Sequence, residues 1–127
     1  MTQMLLSIKP EFVDSILSNK KRYEFRRFRC RKAIDSIVIY ATSPRQQIVG
    51  EVEVLDIIED KIDKVWEATK DHAGLSFDRF VTYYSGKDTA TAYVLGKVTT
   101  YHKPLSLTDF GISKAPQSFQ YLPVTTN

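Results

Sequence analysis

The chain of 127 residues, 43% hydrophobic and 12% aromatic, has enough apolar side chains for one packed core and is too short for two ordinary domains. Its single cysteine, Cys30, excludes an internal disulfide and a thiolate metal cluster. No apolar run approaches the roughly 18 residues of a membrane span, and no signal-peptide segment opens the chain. We therefore expect a cytoplasmic protein with no membrane partner.

The net charge of +3 hides an uneven distribution of charged residues along the chain. Residues 1–32 contain nine lysines and arginines against three acids, whereas residues 51–71 contain eight acids against three lysines. The basic residues are densest between positions 20 and 32, where they are Lys20, Lys21, Arg22, Arg26, Arg27, Arg29, Arg31 and Lys32. Such a cluster attracts phosphate groups, but charges also keep a solvated strand edge soluble. Composition alone favours neither interpretation.

The N-terminal part of the sequence predicts a strand, a helix and a second strand. Residues 4–8 form a brief apolar run, and the apolar spacing that follows predicts a helix over 10–19 with Pro10 as its first residue. Asn19 tolerates the left-handed conformation that ends many helices. Residues 23–28 then alternate apolar and charged side chains, which is the period of a half-buried strand.

The middle of the sequence predicts two strands joined by a turn. Residues 36–41 are rich in β-branched side chains and have no polar interruption after the first residue, which is typical of a strand buried on both faces. Pro44 marks a turn over 42–47. A strand follows over 48–58, in which Gly50 indicates a bulge or a close backbone approach.

Two further helices are expected before the last third of the chain. Asp60 is expected to cap the first of them and Ser76 the second. Each contains apolar residues at helical spacing, which are Ile62, Val65, Trp66 and Thr69 in one and Phe77, Phe80, Val81 and Tyr84 in the other. We interpret Trp66 as a core anchor in preference to a base-stacking platform.

The last third predicts strand structure and a tail. Residues 89–101 are rich in β-forming residues and predict a long strand with three inward side chains, those of Ala92, Val94 and Leu95. A last short strand is expected around Leu105 and Leu107. Residues 123–127 have little apolar content and are expected to form a disordered tail, which leaves a single domain over 1–122.

The order of these elements predicts the fold class. The helices are too few to cross over between every pair of strands, which argues against a doubly wound parallel sheet. The pattern favours an α+β fold, namely a small, mixed and mostly antiparallel β-barrel with helices packed at its ends.

The segment SNKKRYEFRR, residues 18–27, is the strongest candidate for chemistry. Glu24 and Arg26 share one face of the predicted strand, and Lys21 stands just before it. In a structural interpretation these charges pair on the surface and contribute at most about 1 kcal/mol. In a functional one the barrel mouth desolvates them, so that their charges interact more strongly and the pKa of the lysine falls. Spacing alone favours the structural interpretation.

Asn19, Lys21, Glu24 and Arg26 resemble the G-x-K-x-x-E-x-R signature of ASCH domains, which belong to the PUA-like superfamily of small β-barrels. Asn19 stands where the family usually has glycine. The rest of the chain is similar to the family in the same order: a central strand, loop and strand, a middle helix and a C-terminal segment correspond to residues 36–54, 74–87 and 115–122. The resemblance implies a PUA-like barrel in which Lys21, Glu24 and Arg26 line a cleft between helix and barrel.

The resemblance also implies what such a cleft holds. Lys21 and Arg26 would contact a phosphate, a carbonyl or a base edge, and Glu24 would accept from an amino or hydroxyl group. The family places its turn loop near the cleft, and the fold brings a C-terminal hydroxyl close, so Ser43, Arg45 and Ser118 are further ligand-binding candidates. An ordinary polar turn and a backbone-satisfying serine are the alternatives. The RNA-binding patch outside the cleft would be Lys20, Arg22, Arg27, Arg29, Arg31 and Lys32.

The functional prediction from the resemblance is an RNA- or nucleotide-binding module, a regulator of translation or transcription. Single-stranded or structured RNA is favoured over duplex DNA, because no predicted helix suits a major groove. No cofactor is expected. No metal is expected either, since the two histidines, His72 and His102, lie far apart without ligand spacing.

The alternative prediction is a small hydrolase, since some ASCH proteins act as amidohydrolases on N4-acetylcytidine and others are described as ribonucleases. In the amidohydrolase pattern the lysine that matches Lys21 works with a threonine and a helical acid. Here Glu24 occupies the threonine position and Ala73 the position of the acid. Lys21 and Glu24 still offer a nucleophile and a base. A protein-interaction scaffold is a third interpretation, which the unbroken signature disfavours.

Overall fold

A computed structural model describes residues 2–122 of the chain. Within this part, the strands are β1 Gln3–Ile8, β2 Tyr23–Arg26, β3 Ser36–Ala41, β4 Gln47–Lys61, β5 Thr89–Leu105 and β6 Phe119–Tyr121. The α-helices are α1 Pro10–Leu17, α2 Ile62–Thr69 and α3 Phe77–Tyr83, and short 3-10 turns occupy Lys70–His72 and Thr108–Phe110. The tail predicted at 123–127 lies outside the described residues.

The six strands form one mixed sheet in the order β2-β5-β4-β3-β1-β6. β1 runs parallel to β3, and the other neighbouring strands are antiparallel. Three strands separate β2 from β1 in this order, yet Arg26 Nη2 on β2 donates to the Ser7 carbonyl on β1 at 3.0 Å. The sheet therefore curls into a half-barrel. The predicted α+β fold with a mixed, mostly antiparallel, barrel-like sheet is confirmed.

The segment from α1 to β2 has the features expected from the sequence. Pro10 is the first residue of α1, and Asn19 has a φ of 63°, so it takes the left-handed conformation after the helix end. α1 buries Val13 and Ile16 against the sheet. Helix α1 and strand β2 each end two residues earlier than predicted, at Leu17 and Arg26.

Gly50 in β4 lies at both a bulge and a close backbone contact. The register between β3 and β4 shifts at this point, where Ile39 pairs with Gly50 but Tyr40 pairs with Ile48. A Cβ atom at Gly50 would lie 2.5 Å from the carbonyl oxygen of Thr99. Any side chain here would collide with β5, which explains why the position holds glycine.

The predicted start of α2 was wrong. Asp60 does not cap the helix, since Lys61 is the N-cap residue and no side chain caps it. The cause is that β4 stays paired with β5 as far as Lys61, which lies opposite Thr89. The Asp60 carboxylate instead accepts from the backbone amide of Lys61 at 2.7 Å.

The predicted start of α3 is confirmed, but its predicted apolar face was too wide. The Ser76 hydroxyl accepts from the backbone amide of Arg79 at 3.2 Å, as a helix cap does. Phe80 and Tyr84 are buried, whereas Phe77 is 52% and Val81 42% exposed. A helix of two turns buries only a narrow seam. Trp66 packs at 5.1 Å from the ring of Phe80, which agrees with its interpretation as a core anchor.

The C-terminal prediction was wrong about the last strand. β5 extends to Leu105, which pairs with Ile48, and Leu107 precedes a 3-10 turn. The last described strand is β6, which pairs with β1 at the opposite edge of the sheet. Its three residues are mostly exposed, so they carry no buried apolar pattern that sequence analysis could detect. Within β5, Ala92 and Leu95 are buried as predicted, whereas Val94 is half-buried.

No helix within residues 2–122 combines the length and the apolar character needed to cross a bilayer.

Candidate functional site

A cavity of about 470 Å³ opens between α1, α3 and strands β1 and β2. Helix α1 and the end of β1 form one wall, β2 forms the floor, and α3 forms the opposite wall. The lining residues are Ser7, Ile8, Lys9, Phe12, Lys21, Glu24, Phe25, Arg26, Leu75, Asp78, Arg79, Thr82 and Tyr83. The structure therefore brings Lys21, Glu24 and Arg26 into one recess, where the resemblance to ASCH domains had placed them.

Lys21 is a buried lysine, with 3% of its surface exposed. Its Nζ donates to the Ala73 carbonyl at 2.6 Å and lies 5.1 and 4.7 Å from the ring centroids of Phe12 and Phe25. Gly74 packs against the side-chain stem, since a Cβ atom there would lie 2.7 Å from Lys21 Cγ. The ammonium group is thus held by one carbonyl and two aromatic faces.

Burial lowers the pKa of Lys21 to about 8. Loss of hydration is the main cause. The positive charges of Arg79 and Arg26 lower this pKa further, whereas the charge of Glu24 opposes the shift. The amine is protonated at neutral pH but releases its proton readily near pH 8, which suits proton transfer as well as anion binding.

This shift predicts a dependence of stability on pH. The pKa of Lys21 falls from 10.5 to about 8 on folding, so the unfolded chain holds the proton more tightly between these values. The free energy of unfolding should therefore gain about 2 kcal/mol from Lys21 as the pH rises from 7 to 9.5. Urea denaturation of the wild type and of Lys21→Met at each pH measures this gain as the difference between the two proteins. An equal pH profile for both proteins would show that Lys21 is not the cause.

Glu24 and Arg26 form an ion pair on one face of β2. Glu24 Oε2 and Arg26 Nη2 are 3.0 Å apart, and the side chains are 8% and 16% exposed. Arg26 also donates to the Ser7 carbonyl at 3.0 Å and to Ser118 Oγ at 3.4 Å. Within the described residues its buried Nε has no hydrogen-bond partner. A pair this buried is not the exposed surface pair of the structural interpretation.

The polar side of α3 is part of the cavity that sequence analysis missed. Arg79 stands at the rim, where Nη2 lies 2.9 Å from Glu11 Oε1 and the guanidinium lies 4.9 Å from the ring centroid of Phe12. Burial raises the pKa of the Tyr83 hydroxyl, and the charges of Arg26 and Glu24 also act on it. The sequence did contain a signal for this wall of the cavity. Four residues of α3 recur at helical spacing on the side away from the buried Phe80 and Tyr84, and they are Asp78, Arg79, Thr82 and Tyr83.

The turn loop does not reach the cavity. Ser43 is exposed and Arg45 lies on the outer side of α1, where it donates to both carboxylate oxygens of Asp14 at 2.8 and 2.9 Å. Arg45 pairs with Asp14, and neither residue lines the cavity. Ser118 is exposed and does not line the cavity, although its hydroxyl contacts Arg26.

Two members of the predicted basic patch form hydrogen bonds within the protein, and the other four are exposed. Arg22 donates to Asn19 Oδ1 at 2.9 Å and to the Leu95 carbonyl at 3.0 Å. Arg27 donates to the Tyr83 carbonyl at 2.6 Å and to the Ser85 carbonyl at 3.2 Å. The guanidinium groups of Arg22 and Arg27 are thus hydrogen-bonded to other segments of the chain. The exposed members of the predicted patch are Lys20, Arg29, Arg31 and Lys32.

Residues 2–122 contain no group of three His, Cys, Asp or Glu side chains that could hold a metal ion. Cys30 is buried, and its backbone amide donates to the Tyr93 hydroxyl at 3.0 Å.

Comparisons with known proteins identify the family. The ASCH domain model matches residues 6–104. The crystal structure of ASCH from Zymomonas mobilis superposes with a TM-score of 0.87 and 29% sequence identity, covering 95% of this chain and 87% of that chain.

The chain matches two curated relatives, and it covers a different share of the length of each. The ASCH domain-containing ribonuclease of Zymomonas mobilis is 33% identical over 94 residues, which are 73% of this chain and 64% of that protein. The ATP synthase subunit alpha of Ureaplasma parvum is 27% identical over 120 residues, which are 94% of this chain and 15% of that protein. The chain thus spans less than two thirds of each of these relatives. Because the family model covers well over half of the sequence, the chain belongs to the ASCH domain family.

Proposed function

We propose that this chain binds RNA by holding one nucleotide in the cavity between α1, α3 and β2. The observation that carries the proposal is a recess of about 470 Å³ that contains a buried cation, Lys21, and a partly buried one, Arg26, among apolar walls. Ligand sites for small molecules and cofactors have about 300 to 1,000 Å³ and combine apolar walls with few polar groups. The recess has the size and composition that a nucleotide needs.

The lining suggests a role for each group. Ile8, Phe12 and Leu75 offer apolar surface to the faces of a base or sugar. Lys21 and Arg26 donate to a phosphate or a base carbonyl, and Glu24 accepts from an exocyclic amine or a hydroxyl.

We favour RNA over other anions because of the name that one relative of this chain carries. A relative that is 33% identical over 94 residues is named a ribonuclease. Single-stranded RNA can place an unstacked base in such a recess, whereas a base within a duplex stays stacked. We extend the proposal to a role in regulating translation or transcription.

Fluorescence polarisation of a labelled single-stranded RNA tests the proposal. The affinity should fall as salt rises from 50 to 200 mM, because Lys and Arg side chains that bind phosphates release counterions. A matched RNA duplex should bind more weakly. Affinity that is independent of salt, or equal for strand and duplex, would contradict the proposal.

Ribonuclease activity is the second candidate, and the name of the Zymomonas mobilis relative favours it. Cleavage requires the 2′-oxygen to attack the adjacent phosphorus while the bond to the 5′-oxygen breaks. In this proposal the Glu24 carboxylate takes the proton of the 2′-hydroxyl, and the Lys21 ammonium, with its pKa of about 8, donates one to the leaving oxygen. Short RNA fragments on a gel, lost in Glu24→Gln, would identify this activity.

The amidohydrolase alternative is tested by adding N4-acetylcytidine to the same assay as a further substrate. Ala73 occupies the position of the acid in that pattern, and here its carbonyl accepts from Lys21. Deacetylation by the wild type would favour this alternative, and an unchanged compound would exclude it.

A further inference from the structure

Phe28 is an exposed aromatic residue just beyond β2, with 69% of its surface in solvent. It is the most exposed of the large apolar side chains in the described part of the chain. Lys87 Nζ lies 4.1 Å from the centroid of its ring. A lysine covers one face of the ring, and the exposure of the residue leaves the other face open.

Phe28 lies next to the cavity described above. Arg26 lines the cavity, and two residues of extended chain span at most about 7 Å. The residue between them, Arg27, donates to the carbonyls of Tyr83 and Ser85, so this segment is attached to the end of α3 that carries Tyr83 at the cavity. The open face of Phe28 is thus within reach of a strand that leaves the cavity at this end.

Two cations lie beside Phe28. Lys87 lies over its ring, and Arg29 follows it in the sequence. Arg29 is exposed and has a 3.9 Å contact with Glu59. An open aromatic face among cations is the arrangement with which proteins bind single-stranded nucleic acid, because bases stack on the ring and phosphates meet the charges.

We propose that Phe28 is a stacking platform for the base next to the nucleotide in the cavity, with Lys87 and Arg29 contacting the adjoining phosphates. This inference rests on the proposed RNA binding and adds a second subsite to it. The subsite would lengthen the bound strand beyond one nucleotide, so the affinity should rise from a mononucleotide to a short oligonucleotide.

The test compares uridine monophosphate with uridine oligonucleotides of two to six residues. The proteins are the wild type, Phe28→Ala, Phe28→Trp and the control Leu55→Ala, which removes another apolar side chain that is 60% exposed. Phe28→Ala should bind oligonucleotides about five- to 150-fold more weakly and uridine monophosphate as well as the wild type does. Phe28→Trp and Leu55→Ala should keep the wild-type affinities.

The outcomes separate the subsite from the function on which it rests. If Phe28→Ala binds oligonucleotides as well as the wild type does, the subsite is absent and RNA binding stands. If uridine monophosphate is weakened by the same factor, Phe28 acts through the cavity and the subsite is again refuted. If the wild type binds neither ligand, both proposals fail. Circular dichroism of each variant checks that it is folded.

Discussion

Replacing Lys21 by methionine should weaken nucleotide binding by about ten- to 150-fold, which is the usual contribution of a charged hydrogen bond. Lys21 is the most deeply buried cation that lines the cavity, and its ammonium group lies close to the rings of Phe12 and Phe25. Methionine keeps most of the volume and removes the charge, so the effect reports the ammonium group and not a collapsed recess. Isothermal titration with uridine monophosphate measures the loss.

The neighbouring residue provides a matched control for this experiment. Lys20 is exposed, and Lys20→Met changes the net charge of the protein by the same amount. Its affinity should stay within about twofold of the wild type, because exposed charges act weakly. Equal losses in both variants would mean that only overall charge matters, and the cavity would lose its role. Circular dichroism checks that Lys21→Met is folded, because the substitution leaves the buried Ala73 carbonyl without its donor.

Gly74→Ala should lower the free energy of unfolding through two separate contributions, one from the backbone and one from packing on Lys21. Gly74 has a φ of 76°, and a left-handed alanine costs about 1–2 kcal/mol. The new methyl group would also lie 2.7 to 2.9 Å from Cγ, Cβ and Cδ of Lys21. Overpacking of this kind costs about 1–3 kcal/mol more. Urea denaturation gives the total.

Gly86→Ala separates the backbone contribution from the packing contribution. It has a φ of 85° and nothing lies within 4 Å of an added Cβ atom, so Gly86→Ala has the backbone cost alone. The excess loss in Gly74→Ala should shrink when Lys21→Ala is added, because Cγ and Cδ of Lys21 are then gone and only Cβ remains close to the new methyl group. Equal losses at Gly74 and Gly86, or strict additivity with Lys21→Ala, would contradict the packing of Gly74 on Lys21.

The sequence predicted those features that depend on local chemistry. Asn19 ends α1 in the left-handed conformation, Gly50 marks the bulge, and Ser76 caps α3. The alternation around Glu24 and Arg26 placed them on one face of β2, where they form an ion pair. Each of these predictions needs only the conformational preference or the period of a few neighbouring residues.

The wrong predictions concern contacts between distant segments. Asp60 fails as a cap because pairing between β4 and β5 continues past it. Arg45 was expected at the cavity, but an aspartate on the outer side of α1 binds it. The role of Arg79 depends on the approach of α3 to α1, which no local pattern encodes. The burial of Lys21 is likewise a tertiary property, and only the family resemblance indicated it.

Titration of the isotope-labelled protein with uridine monophosphate, followed by the backbone amide resonances, tests the central claim most directly. The claim is that the recess holding Lys21, Glu24 and Arg26 receives a nucleotide. Lys21, Glu24, Thr82 and Tyr83 line the recess, so their amide resonances should shift together with one dissociation constant, while those of Leu55 and Lys97, which do not line it, should stay in place. Shifts confined to residues outside the recess, or no shifts at millimolar nucleotide, would contradict the claim.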